Sequence, residues 1–232
     1  MRKVAVCLKP QQANYIEGNS IWRHFPVGIT GIKTMNYAIS FLEEGDTELI
    51  VFIMAPLKYV KQFQELFCWG VSKVVYISDP LISGADSLGT AKVLSAAVER
   101  YECNIVIIGN NSEDSSTGQV PMQVAMALDA QFYLDKNGGG QSICRDNKIV
   151  IAVDCNCPET FPNLMTIQNG LGKEVDIISL KELGLETVNL KYTDVVGIKQ
   201  VEMYSRKNQF EEMTSKEAAD LLSQIFEVNN NE

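Results

Sequence analysis

The sequence predicts a doubly wound α/β fold with a mainly parallel sheet. Short apolar runs that are typical of buried strands alternate along the chain with segments that are typical of helices. Buried parallel strands have both faces covered by helices, so they are almost continuously apolar. The runs with this character are Lys3–Leu8, Glu48–Met54, Lys73–Ile77 and Asn104–Ile108.

Apolar residues at helical spacing predict the segments that connect these strands. The expected helices are Met35–Glu44, Leu57–Trp69, a helix from Asp86 or Ser87 to about Tyr101, and Val120–Leu128. Gly45 and Gly70 follow two of them and are expected to end them. The long stretch Pro10–Thr34 has little periodicity and is expected to be a connection over the ligand-binding edge.

The second half of the chain changes character after Asp135. Two further strands are predicted at Lys148–Val153 and Glu174–Ser179, separated by a polar segment. An extended arm from Leu190 and an amphipathic helix at Ser215–Phe226 follow. We therefore expect a nucleotide-binding domain over 1–185 and a C-terminal arm and helix over 186–232. The arm either contacts a partner subunit or packs on its own domain.

The loop Gly109–Val120 joins the fourth strand to a helix and carries the strongest signal for a ligand site. Such a loop lies at the carboxyl edge of a doubly wound sheet, where ligands bind. A helix that begins near Ser116 or Thr117 would direct backbone N–H groups and its dipole at a phosphate. Ser115, Ser116, Thr117 and Gln119 add side-chain donors, and Gly118 allows close approach of the backbone. Taken alone, the same residues could simply cap the helix.

Composition excludes several classes of function. The net charge of −9 argues against a surface for nucleic acid or anionic membranes, because both require basic patches. No apolar run is long enough to span a bilayer, and no export signal is evident, so we expect a cytoplasmic protein.

The cysteines and the single histidine do not form a metal site by spacing. Of six cysteines, Cys155 and Cys157 are the only close pair, and zinc sites use wider spacing and a second pair. The expectation is that these are ordinary reduced thiols near a strand end. A single His24 nearly excludes a classical catalytic triad, and no nucleophile and base are evident.

Eight stretches occur in the same order as in one known family. They are Val4–Lys9, Met35-Asn36, Met54–Pro56, Trp69–Val71, Ser83–Ala91, Gly109–Val120, Phe161–Met165 and Ile178–Gly184. The chain resembles the β subunit of electron transfer flavoproteins over most of its length. In the loop Gly109–Val120 the length is equal, and the family's Asp, Thr, Gly, Gln and Val are present at 114 and 117–120.

The resemblance implies a heterodimer with an α subunit that carries a redox-active FAD. It also implies that the β subunit binds AMP, or a second FAD in electron-bifurcating members. The nucleotide contacts that the resemblance implies are Cys7, Asn36, Met54, Asn110, Asn111, Asp114, Ser115, Ser116, Thr117, Gly118 and Gln119. The dehydrogenase-docking residues that it implies are Phe161, Pro162, Asn163, Leu164 and Met165.

Departures from the family pattern bear on the ligand and on the partner. A basic residue after Gly109 is replaced by Asn110, and the loop's Gly-Asp is replaced by Ser115-Ser116. A flavin requires placed donors or charges near its ring, so AMP or an empty site is expected more than a second FAD. The family's leucine in the docking loop is Phe161.

The function predicted from the sequence is that of an electron-carrier subunit that does no bond-making chemistry itself. The alternative is a stand-alone adenine-nucleotide-binding protein of the universal-stress type, which would explain the sheet and the loop but leaves Phe161–Met165 unexplained. A third alternative is an enzyme related to adenine-nucleotide α-hydrolases. No catalytic acid or base with a specific signature supports that alternative.

Overall fold

The computed structural model describes residues 2–10, 26–44, 46–112, 117–138 and 148–193. Within these residues, seven parallel strands form one sheet in the order β5-β6-β4-β1-β2-β3-β7. The strands are β1 Arg2–Leu8, β2 Thr47–Met54, β3 Lys73–Ile77, β4 Ile105–Gly109, β5 Gln131–Asp135, β6 Ile149–Val153 and β7 Asp176–Ile178.

Helices connect the strands, as parallel pairing requires. They are α1 Ile29–Ser40, α2 Val60–Phe63, α3 Ser87–Arg100, α4 Gln119–Ala127 and α5 Leu164–Gly170. The short α2 is flanked by 3-10 turns at Leu57–Tyr59 and Gln64–Trp69, so the predicted helix over 57–69 is less regular than expected. Gly70 ends this segment at φ +84°, as predicted.

The two faces of the sheet are covered by different helices. In β1, Val4 and Val6 point into the core shared with α1 and with the helical segment 57–69. The intervening Ala5 and Cys7 point into the opposite core, which is shared with α3 and α4. This alternation follows from the two-residue period of a strand. The doubly wound fold predicted from the sequence is confirmed.

The chain reverses its direction of sheet growth at β1. It first adds β2 and β3 on one side of β1, and then crosses to add β4 on the other side. At such a reversal the loops after neighbouring strands diverge and leave a crevice at the carboxyl edge. The topology therefore places an opening beside the ends of β1 and β4.

Two helices begin where the sequence pattern gave no clear signal. Helix α1 starts at Ile29, whereas the sequence predicted a connection up to Thr34. Its first turn contains β-branched residues and Gly31, which are poor helix formers. Burial of Ile32 and Met35 against the sheet outweighs that local preference. Helix α5 lies largely within the polar segment between the two predicted strands, for which no helix was predicted.

Strand β5 was also absent from the sequence prediction. It lies at the end of the described sheet, pairs with β6, and exposes Gln131 and Phe132. A half-exposed edge strand lacks the continuous apolar run of a central strand, so its pattern is weak. The strand brings Asp135 to the carboxyl edge, where its side chain is fully buried and accepts a hydrogen bond of 2.8 Å from Tyr37 Oη.

Residues 1–194 form one compact unit. The buried Leu190 lies against the first turn of α3, where its carbonyl oxygen would be 2.1 Å from a Cβ built on Gly89. The boundary predicted at residue 185 stays a prediction. The predicted helix Ser215–Phe226 and the arm beyond Thr193 lie outside the described residues. None of the described helices combines the length and apolar character needed to cross a bilayer.

Candidate functional site

A cleft of about 950 Å³ opens at the carboxyl edge of the sheet. Its walls are the loops that follow β1, β2, β3 and β4, together with the first turns of α1, α3 and α4. This is the crevice that the reversal of strand order at β1 predicts. It is also large enough for an organic ligand, since such pockets span roughly 300–1,000 Å³.

The structure brings most of the predicted nucleotide contacts together in this cleft. Those that line it are Cys7, Met54, Asn110, Asn111, Thr117, Gly118 and Gln119. Asn36 is buried in α1 and is not among the described residues that line the cleft. Asp114, Ser115 and Ser116 lie outside the described residues.

Helix α4 presents its N-terminus to the cleft. The helix begins at Gln119, one residue before the apolar run Val120–Leu128 and two or three residues after the start considered near Ser116 or Thr117. Gly118 at φ +62° is its N-cap. Gly118 has no side chain that could cap the helix, so its own N–H and those of Gln119 and Val120 are the donors at this end. Pro121 at the third position has no N–H to satisfy. The arrangement favours an anionic group.

Gly118 lies against the two asparagines that follow β4. A Cβ built on Gly118 would be 3.0 Å from Asn111 Oδ1 and 3.5 Å from the carbonyl oxygen of Asn110. Few L-residues adopt its positive φ, and the lack of a side chain leaves the helix end open. The two asparagine side chains thus flank the donors of α4 and can add amide N–H groups to a bound ligand.

Helix α3 also begins at the cleft, but its N-terminus already has an anion. The Asp86 carboxylate accepts a hydrogen bond of 2.9 Å from the Gly89 N–H. It also accepts bonds from the backbone N–H groups of Tyr192 and Thr193. The bond from Gly89, with the others, lowers the pKa of Asp86. The donors for a phosphate are therefore at α4 and not at α3.

A hydrogen bond of 3.0 Å connects the two helices, from Ser87 Oγ to Gln119 Oε1. With its oxygen accepting from Ser87, the Gln119 amide has its N–H₂ group available as a donor. Charged groups on the described walls include Lys9 and the carboxylates of Asp79 and Asp86. Because carboxylates outnumber cations there, a bound phosphate would depend mainly on backbone N–H groups.

The floor of the cleft is apolar. Cys7 at the end of β1, Met54 at the end of β2, and Ile108 in β4 lie beside Leu94 of α3. Such a surface suits the flat ring of a base. Burial raises the pKa of the Cys7 thiol, so this cysteine stays protonated and is a wall residue rather than a nucleophile.

Sequence reasoning missed one wall of the cleft. The loop after β3, from Ser78 to Ser87, and the α1 residues Thr30 and Thr34 line it. The available signals were Asp79-Pro80, which opens a loop at the same carboxyl edge, and the stretch Ser83–Ala91, which is part of the resemblance. No residue from either was assigned to the site. Because the helix was predicted to start at Met35, Thr30 and Thr34 were assigned to the preceding connection and not to the site.

A second surface feature lies on and beside α5, and we call it the α5 patch: Phe161, Leu164, Met165 and Leu171. All four side chains are between 64% and 72% exposed. None of them is among the described residues that line the cleft. Asn163 caps α5 by accepting a hydrogen bond of 2.9 Å from the Thr166 N–H. Leu164 and Met165 are thus presented by an ordered turn.

Close backbone packing fixes α5 on the segment before β3. A Cβ on Gly170 would be 2.4 Å from the Phe67 carbonyl carbon and 2.5 Å from the Cys68 nitrogen. Only a glycine permits this approach. Among the described residues, no group of three or more histidine, cysteine or acidic side chains could hold a metal ion.

Residues 33–135 match the family model of the electron transfer flavoprotein domain. The matched region contains α1 from Lys33 onward, β2–β5 and the whole strand–loop–helix unit that presents α4 to the cleft. The match supports a divergent member of the electron transfer flavoprotein β family.

Curated relatives agree with this assignment at modest identity. The electron transfer flavoprotein subunit beta of Thermoanaerobacterium thermosaccharolyticum is 33% identical over 97 residues, which are 42% of this chain and 37% of the relative. The caffeyl-CoA reductase-Etf complex subunit CarD of Acetobacterium woodii is 30% identical over 87 residues, which are 37% and 33% of the two chains.

A longer match is the subunit beta of Clostridium acetobutylicum, with 24% identity over 143 residues, or 57% of this chain and 55% of that one. The chain therefore spans between about a third and just over half of these relatives. The matches thus support membership of the electron transfer flavoprotein β family, with much of each relative left unmatched.

Proposed function

We propose that this member of the electron transfer flavoprotein β family is an electron-carrier subunit that binds an adenine nucleotide in the cleft. It pairs with an α subunit that carries FAD, and the heterodimer passes electrons between redox proteins. The observation that carries the proposal is the uncapped N-terminus of α4, which faces an apolar floor at the reversal of strand order. The nucleotide is a ligand of this subunit, and the transferred electrons reside on the flavin.

The geometry supports one orientation of the nucleotide. Its phosphate is expected at Gly118, Gln119 and Val120, where backbone N–H groups and the helix dipole favour negative charge. Its adenine is expected over Cys7 and Met54, which are the apolar ends of the central strands. This orientation places the phosphate at α4, where donors are available, rather than at α3, whose N-terminus is already capped by the Asp86 carboxylate.

Two observations bear on whether the nucleotide is AMP or FAD. Asn110 takes the place of a basic residue in the family pattern, which favours AMP. The volume of about 950 Å³ and the added wall from Ser78 to Ser87 favour a larger ligand. FAD is therefore a second candidate, with its flavin directed toward that wall. A mononucleotide alone would leave part of the cleft to solvent.

The α5 patch is proposed as the docking surface for a dehydrogenase or another redox protein. Four large apolar side chains on and beside one short helix, each more than 60% exposed, are typical of a protein contact. The residues predicted for docking, Phe161 to Met165, supply three of them. The C-terminal segment, 186–232, is proposed to contact the α subunit. Ending the chain after Tyr204 should leave the compact unit of residues 1–194 folded and should abolish co-purification of that subunit.

The proposal is tested by the nucleotide that the protein releases on denaturation and by titration of AMP, ADP and FAD into the chain with and without an α subunit. One FAD per heterodimer together with released AMP fits the first candidate. Two FAD fit the second. Nucleotide binding with no α-subunit association would support the stand-alone nucleotide-binding protein, and absence of any nucleotide binding would refute the proposed site. The cytoplasmic location stays a prediction.

A further inference from the structure

Two thiols lie side by side at the end of β6, outside the cleft. Cys155 and Cys157 follow the strand, and their Sγ atoms are 3.7 Å apart. The backbone bends at Cys155, which brings the side chains of this i, i+2 pair together. A disulfide requires an S–S distance of about 2.05 Å, so closure needs an approach of about 1.7 Å.

The surroundings hold the pair in place. Cys155 is buried in the core beneath the turn after β5, where a Cβ built on Gly138 would be 4.0 Å from its Sγ. That turn is fixed by Asp135, whose Oδ1 accepts hydrogen bonds from the backbone N–H groups of Asn137 and Gly138. Cys157 is less buried and is the more accessible of the two thiols. Cys157 is thus accessible to a reagent, and the buried Cys155 is in contact with it.

Both thiols of the pair have raised pKa values. Burial, and the hydrogen bond with Cys157, raise the pKa of Cys155 to about 12. Burial also raises the pKa of Cys157. Both thiols are therefore protonated at neutral pH, and exchange should be slow, because the thiolate is the attacking species.

We propose that Cys155 and Cys157 are a modification site that closes reversibly to an intramolecular disulfide, with a small-molecule or protein disulfide as the oxidant. The inference rests on the contact between the two sulfur atoms and on their unequal exposure. It does not rest on the proposed nucleotide site, since neither cysteine is among the described residues that line the cleft.

The chemistry balances with a disulfide RSSR as the co-reactant. Cys157 loses its proton to solvent, its Sγ attacks one sulfur of RSSR, the S–S bond breaks, and RS⁻ leaves and takes up a proton. Cys155 then loses its proton and attacks Cys157 Sγ, which breaks the mixed disulfide and releases a second RSH. Two electrons and two protons pass from the protein to RSSR.

The test is peptide mapping of the unchanged full-length chain after incubation with oxidised glutathione, followed by alkylation of free thiols. The expected result is a peptide that contains Cys155 and Cys157, is not alkylated, and has lost two hydrogen atoms. Reduction with dithiothreitol should restore alkylation of both. The proposal is overturned if both thiols are alkylated after oxidation, if the product stops at a glutathione adduct, or if either cysteine pairs with another.

Two variants separate the roles of the two thiols. Cys155→Ser should leave Cys157 with a stable glutathione adduct, because no second thiol can resolve it. Cys157→Ser should leave Cys155 unmodified in the folded protein, because Cys155 is buried. Cys103 is similarly buried and serves as the internal reference for an inaccessible thiol. A Cys155 that forms the adduct as readily as Cys157 would contradict the assigned order of attack.

Discussion

The cleft and the α5 patch are built on opposite principles. The cleft is concave, and its donors are backbone N–H groups at the start of a helix. The α5 patch is an exposed apolar surface made of side chains on a capped turn. A small anionic ligand is bound by fixed dipoles that surround it, whereas a protein partner is bound by burial of apolar area. Substitutions can therefore alter the cleft and the α5 patch separately.

Each region depends on one glycine, for different reasons. Gly118 has a positive φ of +62°, and its missing side chain keeps the end of α4 open. Gly170 allows the backbone of α5 to contact the backbone at Phe67 and Cys68 directly. Gly118 thus serves ligand access, and Gly170 serves the position of a whole helix. Substitutions at these two positions should separate the two functions.

The largest effect is expected from Gly170→Val. Its Cβ would lie 2.4 Å from a backbone atom of Phe67, so α5 must move away from the segment before β3. We expect a loss of about 3 kcal/mol in the free energy of unfolding, together with loss of redox-partner docking. Chemical denaturation and a docking assay measure the two effects.

The control for that substitution is Gly172→Ala. Gly172 lies two residues after Gly170 and has no atom within 4 Å of a built Cβ, so a side chain there does not displace α5, although its φ of +80° adds local backbone strain. The expected cost is about 1 kcal/mol, with docking retained. If Gly170→Val lowered nucleotide affinity as well as docking, under conditions where the protein is folded, the cleft and the α5 patch would be coupled.

The next largest effect is expected from Gly118→Val on nucleotide affinity. The added side chain would crowd Asn111 Oδ1 and block the approach of a phosphate to the N-terminus of α4. We expect affinity to fall by more than about tenfold, equivalent to about 1.4 kcal/mol. Isothermal titration measures this affinity, with the nucleotide that the protein was found to release on denaturation as the ligand.

Gly184→Val is the matched control for the backbone strain. Gly184 has φ +69°, close to that of Gly118, and no atom lies within 4 Å of its built Cβ. Both variants should lose about 1–2 kcal/mol of stability from a left-handed valine. Only Gly118→Val should lose affinity. An equal loss in both would assign the effect to general destabilisation.

A smaller effect is expected from the double substitution Leu164→Glu and Met165→Glu in the α5 patch. Because both side chains are more than 60% exposed, the free energy of unfolding should change by no more than about 0.5 kcal/mol per site. Binding of the redox partner to the heterodimer should weaken by roughly tenfold. The control Met126→Glu changes an even more exposed apolar side chain on α4 and should leave docking intact. Similar weakening by the control would refute the patch.

The smallest effect concerns the charge that occupies the N-terminus of α3. The pKa of Asp86 is lowered in the folded state, mainly by the Gly89 N–H. Its stabilising contribution is therefore fully present above the unfolded aspartate pKa of about 3.9 and is lost as pH falls through the lower folded value.

Asp86→Asn keeps an acceptor for the Gly89 N–H but removes the charge. We expect its thermal midpoint to lie a few degrees below that of the wild type at pH 6, and the two midpoints to converge at the lowest pH. Asp86→Ala removes the acceptor as well and should stay below both. If the difference in thermal midpoint between the wild type and Asp86→Asn did not depend on pH, the negative charge of Asp86 would not contribute to stability.

Local sequence determined the central part of the fold. The runs that became β1–β4 and β6 are almost wholly apolar. This pattern is expected of strands that are buried on both faces of a parallel sheet. Asp86 predicted the start of α3 because a side-chain acceptor at that position satisfies a helix N–H. The resemblance to the family, rather than local pattern, implied Cys7 and Met54 as nucleotide contacts, and both line the cleft together with Asn110, Asn111 and Thr117–Gln119.

Only the tertiary structure decided the elements with weak local signals. Helix α1 begins six residues earlier than predicted, since burial against the sheet outweighs the poor helix propensity of Ile29, Thr30 and Gly31. This places Thr30 and Thr34 in the cleft. Strand β5 forms because β6 offers it a free edge, and α5 is ordered because Gly170 packs on the backbone at Phe67.

The contact between Cys155 and Cys157 has the same origin. Sequence spacing indicates a close pair, but it does not say whether two thiols at i and i+2 face each other. A straight strand would place them on the same face with their sulfur atoms well apart. The bend at Cys155 and the turn fixed by Asp135 bring the Sγ atoms to 3.7 Å. The positions of the central strands were encoded locally, whereas strand order and approach distances arose from packing between elements far apart in the chain.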